Sequence, residues 1–111
     1  MTFEVVLAPG AADSPRALPV PIRTGVKDAI ARHLTHEPTK VSKSRIKRLR
    51  GLSQPQYRLR VDDIRVFYDV TETEVQVLAI VTKAEAQDWL DEQGTPAEGD
   101  AEGRGPRGGE G

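Results

Sequence analysis

Three arginines within one short stretch, Arg58, Arg60 and Arg65, are the side chains of this 111-residue chain best placed to do chemistry. They lie in Tyr57-Arg58-Leu59-Arg60-Val61-Asp62-Asp63-Ile64-Arg65-Val66-Phe67-Tyr68-Asp69-Val70. With Asp62-Asp63 as a two-residue turn, the run reads as a hairpin that pairs Val61 with Ile64, Arg60 with Arg65 and Leu59 with Val66. Opposed residues share a face and successive residues alternate faces. Tyr57, Leu59, Val61, Ile64, Val66, Tyr68 and Val70 then make one apolar face. The three arginines gather on the other, beside Phe67 and Asp69. Like charges facing each other across a ladder cost about 0.2–1 kcal/mol, so this crowding points to an anionic partner. The competing reading pairs the arginines with Asp62, Asp63 and Asp69.

The surrounding sequence enlarges that positive charge. Between Lys40 and Arg65 lie nine bases and two acids, although the whole chain has a net charge of −1. Lys43, Arg45, Lys47, Arg48 and Arg50 form the core of this run. A basic middle suits a protein that meets a polyanion or an acidic partner, and a solvated charged surface is the alternative. There is no cysteine, so disulfides and thiolate chemistry are excluded. Two histidines, His33 and His36, are too few for a metal site and read as surface residues. No cofactor is implied. No apolar run reaches the roughly 18 residues of a membrane span, and the start does not read as a signal peptide. The expectation is a soluble, cytoplasmic protein with no membrane partner.

The elements that must hold the arginines follow from periodicity. Phe3 to Leu7 is short, apolar and β-rich, and Pro9-Gly10 ends it. Asp13-Ser14-Pro15 looks like a helix start that Pro19 and Pro21 cut short. Ile22, Val26, Ile30 and Leu34 recur at helical spacing, and Pro38 closes that helix. Val41 to Leu52 reads as a short basic helix or an ordered loop, with Ile46, Leu49 and Leu52 inward. After a turn at Thr71 to Glu74, Val75 to Val81 is apolar on nearly both faces, as an interior strand would be. Thr82-Lys83-Ala84-Glu85 has capping-box spacing, opening a helix through Trp89 and Leu90 that Gly94 ends. Residues 1–93 are expected to fold as one domain. Residues 94–111, an acidic segment rich in Gly and Pro, are expected to be a disordered tail.

This order, and above all YRLRVDDIRVFYDV, resembles the RelE/ParE superfamily of toxins from bacterial type II toxin–antitoxin pairs. ALPVPIRTGVKDAIARHL, RIKRLRGL and VQVLAIVTKAEAQDWL support the resemblance, which runs from Phe3 to about Leu90. It implies a small α+β fold: a curved antiparallel sheet, N-terminal helices packed on one side, and a short C-terminal helix. It implies a cognate antitoxin as partner. In the ribonuclease branch the toxin represses translation as an mRNA interferase, an endoribonuclease cutting messenger RNA on the ribosome. In the ParE branch the target is DNA gyrase.

Carried over by position, the ribonuclease branch's basic residues fall on Arg58, Arg60 and Arg65. Its arginine before the last helix and its tyrosine or histidine near that helix fall on Ala84 and Leu90, with Lys83 and Trp89 adjacent. Cleavage by 2′-hydroxyl attack needs a proton acceptor, a proton donor and charge stabilisation. Arginines supply stabilisation, but a guanidinium stays protonated and is a poor base. Positioned acid–base groups contribute about 10²–10⁴-fold each. The candidate catalytic set is therefore Arg58, Arg60, Arg65 and Lys83. Lys43, Arg45, Lys47, Arg48 and Arg50 are the candidates for RNA backbone contacts. Glu85 is expected to cap its helix, Tyr57 and Tyr68 to sit in the core, and Trp89 to pack the helix on the sheet. Phe67 is expected to stack on a base or to lie under an antitoxin segment.

Overall fold

The computed structural model describes residues 2–13 and 18–97. In chain order the elements are β1 (Glu4–Leu7), α1 (Pro9–Asp13), α2 (Val20–Ala29), β2 (Ile46–Arg48), β3 (Leu52–Gln54), β4 (Tyr57–Val61), β5 (Ile64–Val70), β6 (Glu74–Thr82), α3 (Lys83–Gln93) and β7 (Thr95–Pro96). A π-helical turn, Ile30–Leu34, prolongs α2. Five strands form the main sheet in the order β1-β6-β5-β4-β2, and β3 pairs separately with β7. The expected α+β architecture is present. Along β2, β4, β5 and β6 each strand is antiparallel to its neighbour, while β1 joins β6 in parallel and makes the sheet mixed.

The central hairpin has the register read from the sequence: Val61 opposite Ile64, Arg60 opposite Arg65, Leu59 opposite Val66. Asp62 turns the chain at φ 53°, a left-handed conformation that a short polar side chain tolerates better than most. Its apolar face meets α2 and the π-helical turn. Val26, Ile30 and Leu34 are buried there with Ile46, Leu59, Ile64, Val66, Tyr68, Val75, Val77 and Ile80. Ile22, expected to face inward, is 45% exposed. Helix α2 begins at Val20 behind Pro19, and Ile22 lines a cleft with Val61 to Ile64 at the hairpin turn rather than the core.

The basic segment before the hairpin corrects the sequence reading. It is neither a helix nor only a loop, because Ile46–Arg48 adds an edge strand to β4. Only Ile46 of that strand is buried. Three residues are too few to show a period, so what makes it a strand is the partner β4, lying elsewhere in the sequence.

Between β3 and β4 the Gln54-Pro55 peptide is cis. The Asp69 carboxylate accepts from the Gln56 amide at 2.8 Å and from Gln54 Nε2 at 2.6 Å. Gln56 Oε1 in turn accepts from the Val70 amide at 2.9 Å. Asp69 therefore fastens this loop to β5.

Helix α3 starts with the expected capping box. Thr82 Oγ1 accepts from the Glu85 amide, and Glu85 Oε1 accepts from the Thr82 amide and hydroxyl. At its end the Gly94 amide donates to the Leu90 carbonyl. A Cβ at Gly94 would stand 2.5 Å from that carbonyl oxygen and 3.3 Å from Leu52 Cδ2, so only glycine fits. Regular pairing continues past Gly94, with Thr95–Pro96 laid against β3. The expected helix start at Asp13 to Pro15 lies largely outside the described residues, as does the tail from 98 onward.

Candidate functional site

The three arginines share the face of the sheet opposite the core. Arg60 and Arg65 are direct cross-strand partners, and Arg58 lies opposite Phe67. Their environments differ. Arg65 is 7% exposed and donates from Nη1 to the carbonyls of Asp62 at 2.8 Å and Ile64 at 3.1 Å. Arg60 is exposed. Arg58 lies between, and its buried Nε has no hydrogen-bond partner.

Electrostatics show that the groups converge. Burial holds the Arg58 guanidinium below its ordinary value, and the positive charges of Arg65 and then Arg60 push the same way. Among the described residues no carboxylate forms an ion pair with any of the three. The aspartates proposed as partners are otherwise engaged or remote in role: Asp69 holds the cis-proline loop, and Asp62 offers Arg65 only its backbone carbonyl. A buried donor without an acceptor costs about 1–3 kcal/mol. An incoming anion would remove that cost and the mutual repulsion together.

The remaining basic candidates do not form one patch. Lys47 is the cross-strand partner of Arg58 and joins the arginine face. Arg48, next along the strand, belongs to the opposite face, where its guanidinium sits 5.1 Å over the Tyr57 ring and donates to the Gln56 carbonyl. Arg45 borders a different cleft beside His33. Lys43 is exposed in the loop before β2. Arg50 is exposed near α3, beside Leu90 and Gln87. Alternation along a strand divides what the sequence presents as one run.

Helix α3 crosses the arginine face. Trp89 stacks on Phe67 with ring centroids 5.1 Å apart and planes 8° from parallel. Phe67 is thus covered by the chain's own helix and is 1% exposed, where the sequence reading set a base or an antitoxin segment against it. The contact was hidden in the sequence because it joins residues that no local pattern links. Lys83, the first residue of α3, is exposed, and its amide donates to the Asp63 carbonyl at 2.6 Å. The hairpin turn therefore anchors both Arg65 and the start of α3. Ala84 is exposed, and Leu90 lines a cleft with Leu49 and Leu52. Glu85 is committed to its cap, and Tyr57 and Tyr68 stack on each other, 5.6 Å apart, on the core side. What the face offers is concentrated positive charge, with Lys83 as its one flanking amine among the expected catalytic residues.

No protein-family model matches the chain, and no curated protein does. Solved structures do. An archaeal RelE–RelB complex from Pyrococcus horikoshii OT3 is similar at 23% identity and TM-score 0.62, over 75% of this chain and 97% of that one. The RelB–RelE antitoxin–toxin complex from Methanococcus jannaschii is similar at 19% identity and TM-score 0.60, over 77% and 98%. An arginine-to-alanine double mutant of the E. coli toxin RelE, in the free state, gives 22% identity and TM-score 0.62 over 83% and 94%. These likenesses cover 75–83% of this chain and 94–98% of those chains. The chain has the RelE-like toxin fold.

Proposed function

We propose that this protein is the toxin of a type II toxin–antitoxin pair, a RelE-like translation repressor that cuts messenger RNA on the ribosome. The observation that carries the reading is the set of three converging arginines that no carboxylate among the described residues neutralises, one with a buried Nε left without an acceptor. Arg58 and Arg60 hold the scissile phosphate and stabilise the charge that develops on it. Arg65, pinned by two backbone carbonyls, fixes the geometry beneath them. On this reading Lys47 extends the track to a neighbouring phosphate, and Lys83 is the residue that handles a proton. Its partner is a small antitoxin made alongside it, as the RelB–RelE complexes of the same fold suggest. The site of action is the cytoplasm.

The test is expression without a partner, with growth and message integrity followed together. Growth arrest with messages cut at defined positions is expected, and the triple charge reversal Arg58→Glu, Arg60→Glu and Arg65→Glu should abolish both. A folded protein that leaves growth and messages intact refutes the proposal.

A second reading rests on Ala84 and Leu90, which place no acid or base where the ribonuclease branch carries them. On that reading the arginine face binds a protein target such as DNA gyrase, as in the ParE branch. Inhibited supercoiling with intact messages would select it. A member that only binds its antitoxin would show neither effect.

A further inference from the structure

On the other side of the edge strand, a cleft of about 270 Å³ opens between the π-helical turn and the start of β2. Arg32, His33, Glu37, Lys40, Ser42 and Arg45 line it. We propose that this cleft is a second anion site, one that takes a phosphate of an RNA backbone. It shares an RNA partner with the function proposed above, and of its residues only Arg45 was among the candidates for RNA contacts.

The lining is rich in donors and poor in acceptors. Arg32, Arg45 and Lys40 bring three fixed positive charges. The one carboxylate, Glu37, stands 3.8 Å from Lys40 with both side chains mostly in water, a pairing too loose to neutralise the group. Ser42 sharpens the preference. Its Oγ accepts from the Arg45 amide at 3.0 Å and from the Ile46 amide at 3.2 Å. With both lone pairs occupied, the hydroxyl has only its proton left to offer, so it too calls for an acceptor.

His33 fits the same picture. Burial, then the charges of Arg45 and Arg32, hold its imidazole below the ordinary value. Glu37 and Lys40 are the other charged groups of the cleft. A bound phosphate would offset the two arginines and raise the imidazole again.

Position favours a polymer over a free ion. The Arg45 carbonyl accepts the Arg60 amide at 2.8 Å. The cleft and the arginine face therefore adjoin at one short stretch of sheet edge. A nucleic-acid strand passing over that edge can lay one phosphate on Arg60 and Lys47 and another in the cleft.

The test uses the full chain and 2′-O-methyl oligoribonucleotides, which cannot be cut by 2′-hydroxyl attack. Imidazole resonances of His33 are followed by NMR through a pH titration, with exposed His36 as internal control. Saturating inorganic phosphate should raise the His33 pKa by about one unit (a tenfold linkage), and the oligoribonucleotide should do so at far lower concentration. Arg32→Gln with Arg45→Gln, both exposed positions, should abolish the response. The pair should also lower the slope of log K against log salt by about 0.7, the value for one lost phosphate contact on a single strand. A response to inorganic phosphate with none to the oligoribonucleotide overturns the RNA assignment. No response to either, or an unchanged slope in the double variant, overturns the site. Arg58→Gln with Arg60→Gln should leave the His33 response to inorganic phosphate in place, so loss of toxicity and loss of this cleft are read separately.

Discussion

Arg58 is where stability and use pull in opposite directions. Its guanidinium is half-buried, repelled by two others, and its Nε has no acceptor. Removing such a charge while keeping the stem relieves the fold instead of harming it. Arg58→Met is expected to raise stability by about 0.5–1 kcal/mol, the size of a cross-strand like-charge penalty, while sharply weakening RNA binding. Paired urea-melt and anisotropy measurements check this. A loss of stability would mean that the arginine is structural. Tyr68 behaves in the opposite way. It is fully buried, and its hydroxyl donates to the buried Pro38 carbonyl at 2.6 Å. Burial, then neighbouring Tyr57, raise its pKa well above the ordinary tyrosine range. In the unfolded chain the phenol loses its proton near pH 10, so its contribution holds below that pH and fades as pH rises above it. Tyr68→Phe should cost about 1–3 kcal/mol through the orphaned carbonyl, and its stability should decline less in alkali. For His33 the sign reverses. Its folded pKa lies below 6.5, so the unfolded chain takes up the proton first, and stability falls as pH drops below that value. His33→Gln should flatten the acid limb of a plot of stability against pH.

At the scale of elements, the hairpin and α3 show what local sequence specifies and where it stops. The hairpin could be read to the residue because alternation of type fixes face and register together. Thr82 and Glu85 likewise announce a helix start, since both cap partners lie within one turn. The basic stretch around Ile46 could not be read, because the strand exists only through its pairing with β4. Trp89 could be read as the residue that seats α3 on the sheet, but its partner Phe67 could not, since that stack depends on how the helix leaves the sheet. No residue of α3 is fully buried, so the helix rests on its cap, on that stack and on contacts near Leu90. Thr82→Ala is expected to cost about 1 kcal/mol. Trp89→Ala should accelerate hydrogen exchange in α3 while the amides of β5 and β6 keep their protection. Equal loss of protection in helix and sheet would show that they unfold as one unit.

Across the whole molecule, a nearly neutral chain carries a strongly uneven charge. Its positive excess is concentrated between Lys40 and Arg65, and the fold divides that excess between two faces and the edge they share. The face of Arg58, Arg60 and Arg65 was legible, because residues two apart on a strand must share a side. The division of Lys43 to Arg50 was not, because those residues do not all lie on one strand. Binding of RNA through several phosphates should be steeply sensitive to salt. With three to five contacts, log K against log salt should fall with a slope of about −2 to −3.5, and a flat dependence would rule out backbone recognition. Strand β2 carries one more implication. It ends the sheet, three residues long, with Lys47 and Arg48 exposed. The outward edge of Ile46 is closed by Ser42, which takes its amide and donates to its carbonyl. Beyond it, a sheet border invites a copy of the same chain, and two adjacent cations deter it. Lys47 and Arg48 thus guard against fibre-like growth, and neutralising both should turn a clear solution turbid.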